Sequence, residues 1–240
     1  MIDNEKKELL NSEVLDTKDI ASGTAFEFEC VELFKDTIQF NRAPDELSKK
    51  ILKEYNSYNS NEKEDARHGL AGDLSEEYYF PKINTVEDIR NFFIEDLSNR
   101  FGLPIKYISF AEKVPGTEKY FELEQLWVNE MKANEHNPLH KHTGVLSFVW
   151  YLDIPEEIRE ECYDQKSNSR SRGLIQFLSM TSNDQIRLNP RTNDVFIFNS
   201  LQRHEVYPFY SNNKRISMAG NITKIIFENG LTIEEKRNDT

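Results

Sequence analysis

The sequence is poor in cysteine, has no long apolar run and carries fewer basic than acidic residues. Its two cysteines, Cys30 and Cys162, lie far apart, which argues against a disulfide framework and favours a reducing compartment. No segment approaches the length of a membrane span, and the first residues lack the apolar core of a signal peptide. We therefore expect a soluble, cytoplasmic protein with no membrane partner. The formal net charge of −12 predicts a surface that repels nucleic acid.

Aromatic residues are plentiful, with 16 Phe and 10 Tyr among 240 residues. This composition supplies a hydrophobic core and is typical of a globular chain. The length fits one large domain or two small ones. Residues 1–25 are polar and weakly patterned, so we expect a flexible N-terminal segment followed by one domain over 26–240.

Two helices are predicted within a helical support region at about 41–104. In the first, Pro44 suits the first turn, and Leu47, Ile51 and Tyr55 recur at helical spacing. The second begins after Thr85 as its cap and ends before Gly102. Its apolar stripe consists of Ile89, Phe92, Phe93, Leu97 and Phe101.

The apolar pattern changes to period two from residue 105, which predicts a β-core over about 105–228. An earlier strand is predicted over 26–34. Strands without helices between them favour an antiparallel arrangement, so the expected fold is mainly β with N-terminal helices (α+β), a jelly roll. The charged segment 156–173 is interpreted as an insertion between two strands, either a solvated one or a lid over a substrate.

Histidine is scarce, and three of the five histidines fall in the segment NEHNPLHKHTG. Alternate residues of an extended strand share a face, so His140 and His142 are expected to project together. Imidazole is the commonest ligand of transition metals, and His204 is the natural third ligand from a distant strand. A single His-x-His pair also occurs in loops by chance. The ordered set of three, followed by Arg215, is what favours a metal site.

Arg215 opens the predicted strand RISMAGNI. Alternation places Arg215, Ser217, Ala219 and Asn221 on one face of that strand. An arginine there can bind a carboxylate through two parallel hydrogen bonds, to which Ser217 can add a hydroxyl donor. The competing interpretation is an arginine in an ordinary salt bridge on the sheet surface.

Together, HNPLHKHTGVLSFVWYLDIP, GLIQFL and LNPRTNDVFIFNSLQRHEVYPFYSNNKRISMAGNI resemble the 2-oxoglutarate- and iron(II)-dependent oxygenases. The likeness is strongest to a branch common in phage genomes and extends to enzymes of the prolyl-hydroxylase type. It covers about residues 125–225, with weaker likeness in PDELSKKIL and HGLAGDLSEEY. The resemblance implies a double-stranded β-helix, a distorted jelly roll, that holds one iron.

By this resemblance, His140 and His204 are metal ligands, and Arg215 with Ser217 binds 2-oxoglutarate. Asn129 and Asn221 are implied as polar contacts to the co-substrate, and Trp127 either walls the substrate pocket or packs in the core. The implied activity is hydroxylation of a small molecule or a protein side chain with oxygen, releasing succinate and CO2. The sequence selects neither a substrate nor an oligomeric state.

One position departs from the usual family pattern. His142 stands where most members have Asp or Glu, although the phage-like branch has His-x-His there. His142 is therefore either the third metal ligand or a residue that only contacts the ligands. In the second case, a carboxylate or a water molecule would be the third ligand. Two alternatives to the implied activity stay open: a three-histidine dioxygenase that does not use 2-oxoglutarate, and a jelly roll with a binding or structural role and no catalysis.

Overall fold

A computed structural model describes residues 15–27, 37–80, 84–110, 126–164, 171–180 and 183–234. Its helices are α1 (Asp45–Ser57), α2 (Val86–Phe101), α3 (Glu156–Asp164) and a 3-10 helix (Thr17–Asp19). The two predicted helices are present. Thr85 occupies the N-cap of α2, as predicted. Its side chain makes no capping hydrogen bond, so the predicted side-chain cap is wrong.

The segment 156–173 does lie between two strands, as predicted, but its described part contains helix α3, which is packed against the core and is not a solvated loop. Ile158 and Cys162, one helical turn apart, are 1% and 0% exposed, so the helix buries a narrow apolar face. Arg159 on the same helix bonds the Asp16 carboxylate at 2.7 Å. Two apolar positions among many charges are too weak a signal to predict this helix from its sequence.

Fifteen strands are described. They are β1 (Leu15–Asp16), β2 (Ala25–Glu27), β3 (Thr37–Arg42), β4 (Glu64–Asp65), β5 (Glu77–Tyr79), β6 (Ile105–Phe110), β7 (Leu126–Lys132), β8 (Asn137–His140), β9 (Leu146–Asp153), β10 (Ile175–Leu178), β11 (Gln185–Asn189), β12 (Asp194–Asn199), β13 (His204–Val206), β14 (Lys214–Phe227) and β15 (Thr232–Glu234). The strand predicted over 26–34 falls mostly outside the described residues, because 28–36 are not among them. Its first residues belong to β2.

These strands form two sheets. The larger has the order β2-β3-β12-β9-β14-β7-β5-β4, with β6 and β15 also on β14, and the smaller has the order β1-β11-β10-β13-β8. From β7 to β14 the chain passes repeatedly between the sheets, and the described pairings are antiparallel except for that of β1 with β11. The predicted jelly roll is confirmed.

The larger sheet separates two hydrophobic clusters. One face packs against α1 and α2 through residues such as Phe148, Trp150 and Met218. The other face packs toward the smaller sheet, where Tyr151 and Phe198 lie in the second cluster. Successive residues of β9 and β14 therefore alternate between the helix side and the space between the sheets. That inner space holds the candidate site.

Candidate metal and co-substrate site

The three histidines converge at one end of the smaller sheet. His140 is the last residue of β8 and His204 the first of β13, and the antiparallel register pairs them directly. His142 lies two residues beyond β8, where its backbone N–H donates to the Ser200 carbonyl at 2.8 Å. Strand alternation predicted this proximity, but the hydrogen bond to Ser200 is what holds His142 beyond the strand end.

The three side chains can place their ring nitrogens around one point. One ligand atom from each histidine lies within 4.8 Å of the others, and the Nε2 atoms of His142 and His204 are 3.3 Å apart. Nδ1 of His140 lies 2.6 Å from the Pro138 carbonyl, and Nδ1 of His204 lies 3.0 Å from the Gln202 carbonyl. Each Nδ1–H donates to its carbonyl, which leaves Nε2 with a free lone pair.

Burial keeps these imidazoles neutral. Desolvation lowers the pKa of His140, lowers that of His142 to about 3 and lowers that of His204 well below its ordinary value. The neighbouring imidazoles add to the depression of the pKa of His142 and His204. Neutral imidazole is the ligand form, so the cluster suits a divalent transition metal at neutral pH. Among the described residues, no carboxylate joins this cluster.

Arg215 is buried beside the cluster and has no ionic partner in the parts of the chain that the structure describes. It is 3% exposed, donates to the Gly173 carbonyl at 2.8 Å and contacts the Met131 sulfur at 2.6 Å. Its guanidinium meets no carboxylate in the described part of the chain, and burial lowers its pKa. A buried cation without a counter-charge is costly, so this position fits a ligand that brings its own carboxylate.

Tyr151 is a further donor that the sequence did not single out. It pairs with Ser217 across β9 and β14, which puts both side chains on the inner face. The Tyr151 hydroxyl is buried and has no hydrogen-bond partner among the described residues. Burial raises the pKa of Tyr151 to about 12, so the group is an O–H donor at neutral pH. Alternation along β9 was the available signal.

A cavity of about 40 Å³ joins these groups. Trp127, Asn129, Arg215 and Ser217 line it with the three histidines, and the Trp127 ring lies 5.7 Å from that of His142. Asn221 is not among the lining residues and accepts a hydrogen bond from the Ser147 hydroxyl at 2.8 Å. Entry of a ligand larger than a few waters requires side chains such as Met131 to shift.

The sequence comparison finds a family model that matches part of the β-core. Residues 125–221 match the model of the family described as "Putative 2OG-Fe(II) oxygenase". The predicted resemblance is confirmed over this stretch, which contains all three clustered histidines, Tyr151 and Arg215. Enzymes of that family use iron(II), 2-oxoglutarate and dioxygen. Among functionally curated proteins, none matches the chain.

Comparison with solved structures finds similar chains at low sequence identity. A prolyl-4-hydroxylase from Pseudomonas putida has a TM-score of 0.50 and 11% identity, with 77% of this chain and 91% of that chain covered. A Trichoplax adhaerens prolyl hydroxylase in complex with a hypoxia-inducible-factor peptide has a TM-score of 0.47 and 13% identity over 77% and 82% of the two chains. HygX from Streptomyces hygroscopicus, with nickel and 2-oxoglutarate bound, has a TM-score of 0.48 and 7% identity over 76% and 81%.

Among the described helices, none combines the length and the apolarity that crossing a bilayer requires.

Proposed function

We propose that this chain is a 2-oxoglutarate- and iron(II)-dependent oxygenase that hydroxylates a small molecule or a protein side chain and releases succinate and CO2. One observation carries the proposal. Three neutral histidines converge next to a buried arginine that has no carboxylate partner among the described residues. A metal site alone does not need that arginine, whereas a co-substrate with a second carboxylate does.

In this proposal, His140, His142 and His204 hold the metal through ring nitrogens. These three residues would hold a divalent iron and would leave room for a co-substrate that chelates it. With dioxygen as the oxidant and 2-oxoglutarate as a two-electron reductant, bound iron(II) would supply the chemistry that attacks an unactivated C–H bond. The hydrogen bonds from Nδ1 of His140 and His204 to backbone carbonyls hold both rings in the ligating orientation.

The same chain positions the co-substrate. Arg215 and the Tyr151 hydroxyl are donors for its distal carboxylate, and Ser217 lies between them on the inner face. A carboxylate that enters replaces the Met131 sulfur as the neighbour of Arg215, which converts a weak contact into a charge-assisted one. Around the histidines, the rings of Phe177 and Phe198 lie 5.7 and 4.7 Å from that of His204 and exclude water from the metal.

We also propose that residues 26–240 act as one oxygenase domain, with the helices as support. Both hydrophobic clusters share the strands of the larger sheet, so neither the helices nor the β-core has a separate core.

Titration of 2-oxoglutarate into the metal-loaded protein tests the co-substrate assignment. Arg215→Ala is expected to weaken 2-oxoglutarate binding about 30-fold or more, because a buried charge pair is worth about 2 kcal/mol or above. Metal affinity should stay within about twofold. Arg187→Ala is the matched control, since Arg187 bonds Gln176 in the smaller sheet. Unchanged 2-oxoglutarate affinity in Arg215→Ala contradicts the assignment.

A second candidate is a three-histidine dioxygenase whose own substrate chelates the metal. The observation in its favour is that His142 replaces a carboxylate in the ligand cluster. It predicts oxygen uptake without succinate, whereas the first proposal predicts one succinate for each oxygen consumed. If neither metal nor 2-oxoglutarate binds, the remaining interpretation is a jelly roll that has a binding role and no catalytic activity.

A further inference from the structure

We propose that the substrate of this site carries a cationic nitrogen, an alkylammonium or guanidinium group, bound by the amide oxygens of Asn129 and Asn137 with the adjacent Glu77 carboxylate as its counter-charge. The inference rests on the proposed function only in calling this nitrogen compound the substrate. The affinity itself can be measured without iron or 2-oxoglutarate.

The register of the larger sheet places Glu77 in line with the co-substrate residues. Glu77 pairs with Asn129, Asn129 with Ser217, and Ser217 with Tyr151, across β5, β7, β14 and β9. Residues directly opposite each other in antiparallel strands project from the same face, so these four form one polar row on the inner face. The Glu130 amide donates to the Glu76 carbonyl at 3.0 Å. Glu77 and Asn129 therefore form a non-hydrogen-bonded pair, whose side chains lie closer together.

The two ends of this polar row have opposite hydrogen-bonding character. Donors lie at one end, where the Tyr151 hydroxyl and the Arg215 guanidinium face the cavity without a carboxylate among the described residues. Acceptors lie at the other end. Both carboxyl oxygens of Glu77 and the Oδ1 atoms of Asn129 and Asn137 are buried and accept no hydrogen bond from any described residue. Buried acceptors are normally satisfied, so this end lacks a donor-rich partner.

Asn137 belongs to the same corner of the cavity. Asp73 forms an isolated β-bridge with His136, the residue before Asn137. Gly72, the residue before Asp73, lies against Glu77, since a Cβ added at Gly72 would meet the carboxyl Oε1 at 2.5 Å. Asn129 and Asn137 both line the cavity. A ligand in the cavity thus meets the two amide oxygens, and the Glu77 carboxyl, which is not among the lining residues, belongs to the cross-strand neighbour of Asn129.

Charge decides which donor fits best. Glu77 is 1% exposed, and burial raises its pKa to about 7. Arg67, the nearby cation, pairs with Asp65 at 2.6 Å. A bound cation would supply the paired counter-charge that ionised Glu77 lacks among the described residues, and an ammonium or guanidinium group brings several N–H donors to several acceptors.

The test measures binding of n-butylammonium, n-butylguanidinium and neutral 1-pentanol to the metal-free full chain by NMR titration. Wild type is expected to bind the two cations at least about tenfold more tightly than the alcohol. Glu77→Gln should reduce this preference to about twofold. Glu76→Gln is the matched control, because Glu76 is the adjacent carboxylate and pairs instead with Lys132 at 2.9 Å; it should keep the full preference.

A second readout is proton release. Calorimetry near pH 7 in buffers of different ionisation enthalpy should show that cation binding displaces a fraction of a proton in wild type and none in Glu77→Gln. Equal affinity for the alcohol and the cations, or an equal loss of preference in Glu76→Gln and Glu77→Gln, overturns the inference. Absence of iron or 2-oxoglutarate binding would refute the proposed function and leave the cation preference as measured.

Discussion

A few buried side chains determine what the cavity can bind. Three neutral imidazoles would leave a bound divalent metal with its full charge, unlike a ligand set with a carboxylate. An anionic chelator would be attracted to such a metal, and Arg215 would supply a second positive charge at the far end of the chelator. In the proposed function, these groups therefore favour a dianion at one end of the polar row.

The Tyr151 hydroxyl provides a specific prediction. Tyr151→Phe removes one donor to the distal carboxylate while it preserves the ring and the packing. A hydrogen bond to a charged group contributes about 1.5 kcal/mol or more, so the Kd for 2-oxoglutarate should rise about tenfold. Calorimetry on the metal-loaded protein measures this, with Tyr207→Phe as control because that hydroxyl bonds Glu205 at 2.9 Å. A Kd that stays at the wild-type value would exclude Tyr151 from the co-substrate site.

Glu77 predicts how stability depends on pH. Its folded-state pKa of about 7 lies above its ordinary value of 4.5, so the folded protein holds the proton more tightly than the unfolded chain. The free energy of unfolding should therefore fall as pH rises from about 4.5 to about 7, by up to about 3 kcal/mol. Glu77→Gln should remove this fall and be more stable than wild type at pH 8.

Urea unfolding at pH 4.5, 6 and 8 measures the effect, and Glu76→Gln should keep the wild-type pH dependence. Parallel pH curves for wild type and Glu77→Gln would show that the Glu77 carboxyl does not titrate in this range.

At the scale of elements, α1 is fixed to the outer face of the larger sheet by a buried carboxylate. Glu130 on β7 is 5% exposed and accepts from the Tyr55 hydroxyl at 2.5 Å, from Lys63 at 3.4 Å and from Lys214. These bonds lower the pKa of Glu130 against the opposing effect of burial. Its neighbours Asn129 and Met131 line the cavity. Strand β7 therefore contacts α1 on one face and the candidate site on the other.

Removal of this carboxylate leaves Tyr55 and two lysines without their acceptor. Glu130→Ala should lower the free energy of unfolding by about 2–4 kcal/mol. The loss is below that of a fully buried ion pair because Lys214 is partly exposed, whereas Glu130 is buried. Chemical denaturation measures the loss, and Glu46→Ala on the exposed side of α1 should change stability by less than about 0.5 kcal/mol. Equal effects of the two substitutions would mean that Glu130 does not anchor α1.

The elements also show which sequence signals were sufficient. Helix α2 has a long apolar stripe, and β9 and β14 have clear alternation, so their presence could be predicted from periodicity. Helix α3 could not, because only Ile158 and Cys162 mark its buried face. Local patterns report which face is apolar, but a short face among charges resembles a solvated loop.

At the scale of the whole molecule, periodicity could predict which face of a strand a residue occupies. It could not predict which residues of different strands lie opposite one another. The inner face of β14 was predictable, whereas the pairing of Glu77 with Asn129, and of Ser217 with Tyr151, depends on strand register between distant segments. The same limit explains Asn221, which lies on the predicted strand yet bonds Ser147 instead of lining the cavity. Assembly of the two sheets is what brings the clustered histidines, Arg215 and the polar row together.

The most direct test is an anaerobic titration of the full chain with iron(II) and then with 2-oxoglutarate, followed by visible absorption. Wild type is expected to show a weak metal-to-ligand charge-transfer band. His204→Ala is expected to lose the band because iron no longer binds, and Arg215→Ala is expected to show it only at much higher 2-oxoglutarate. Iron binding without any such band in wild type, or a full band in His204→Ala, would contradict the proposed function.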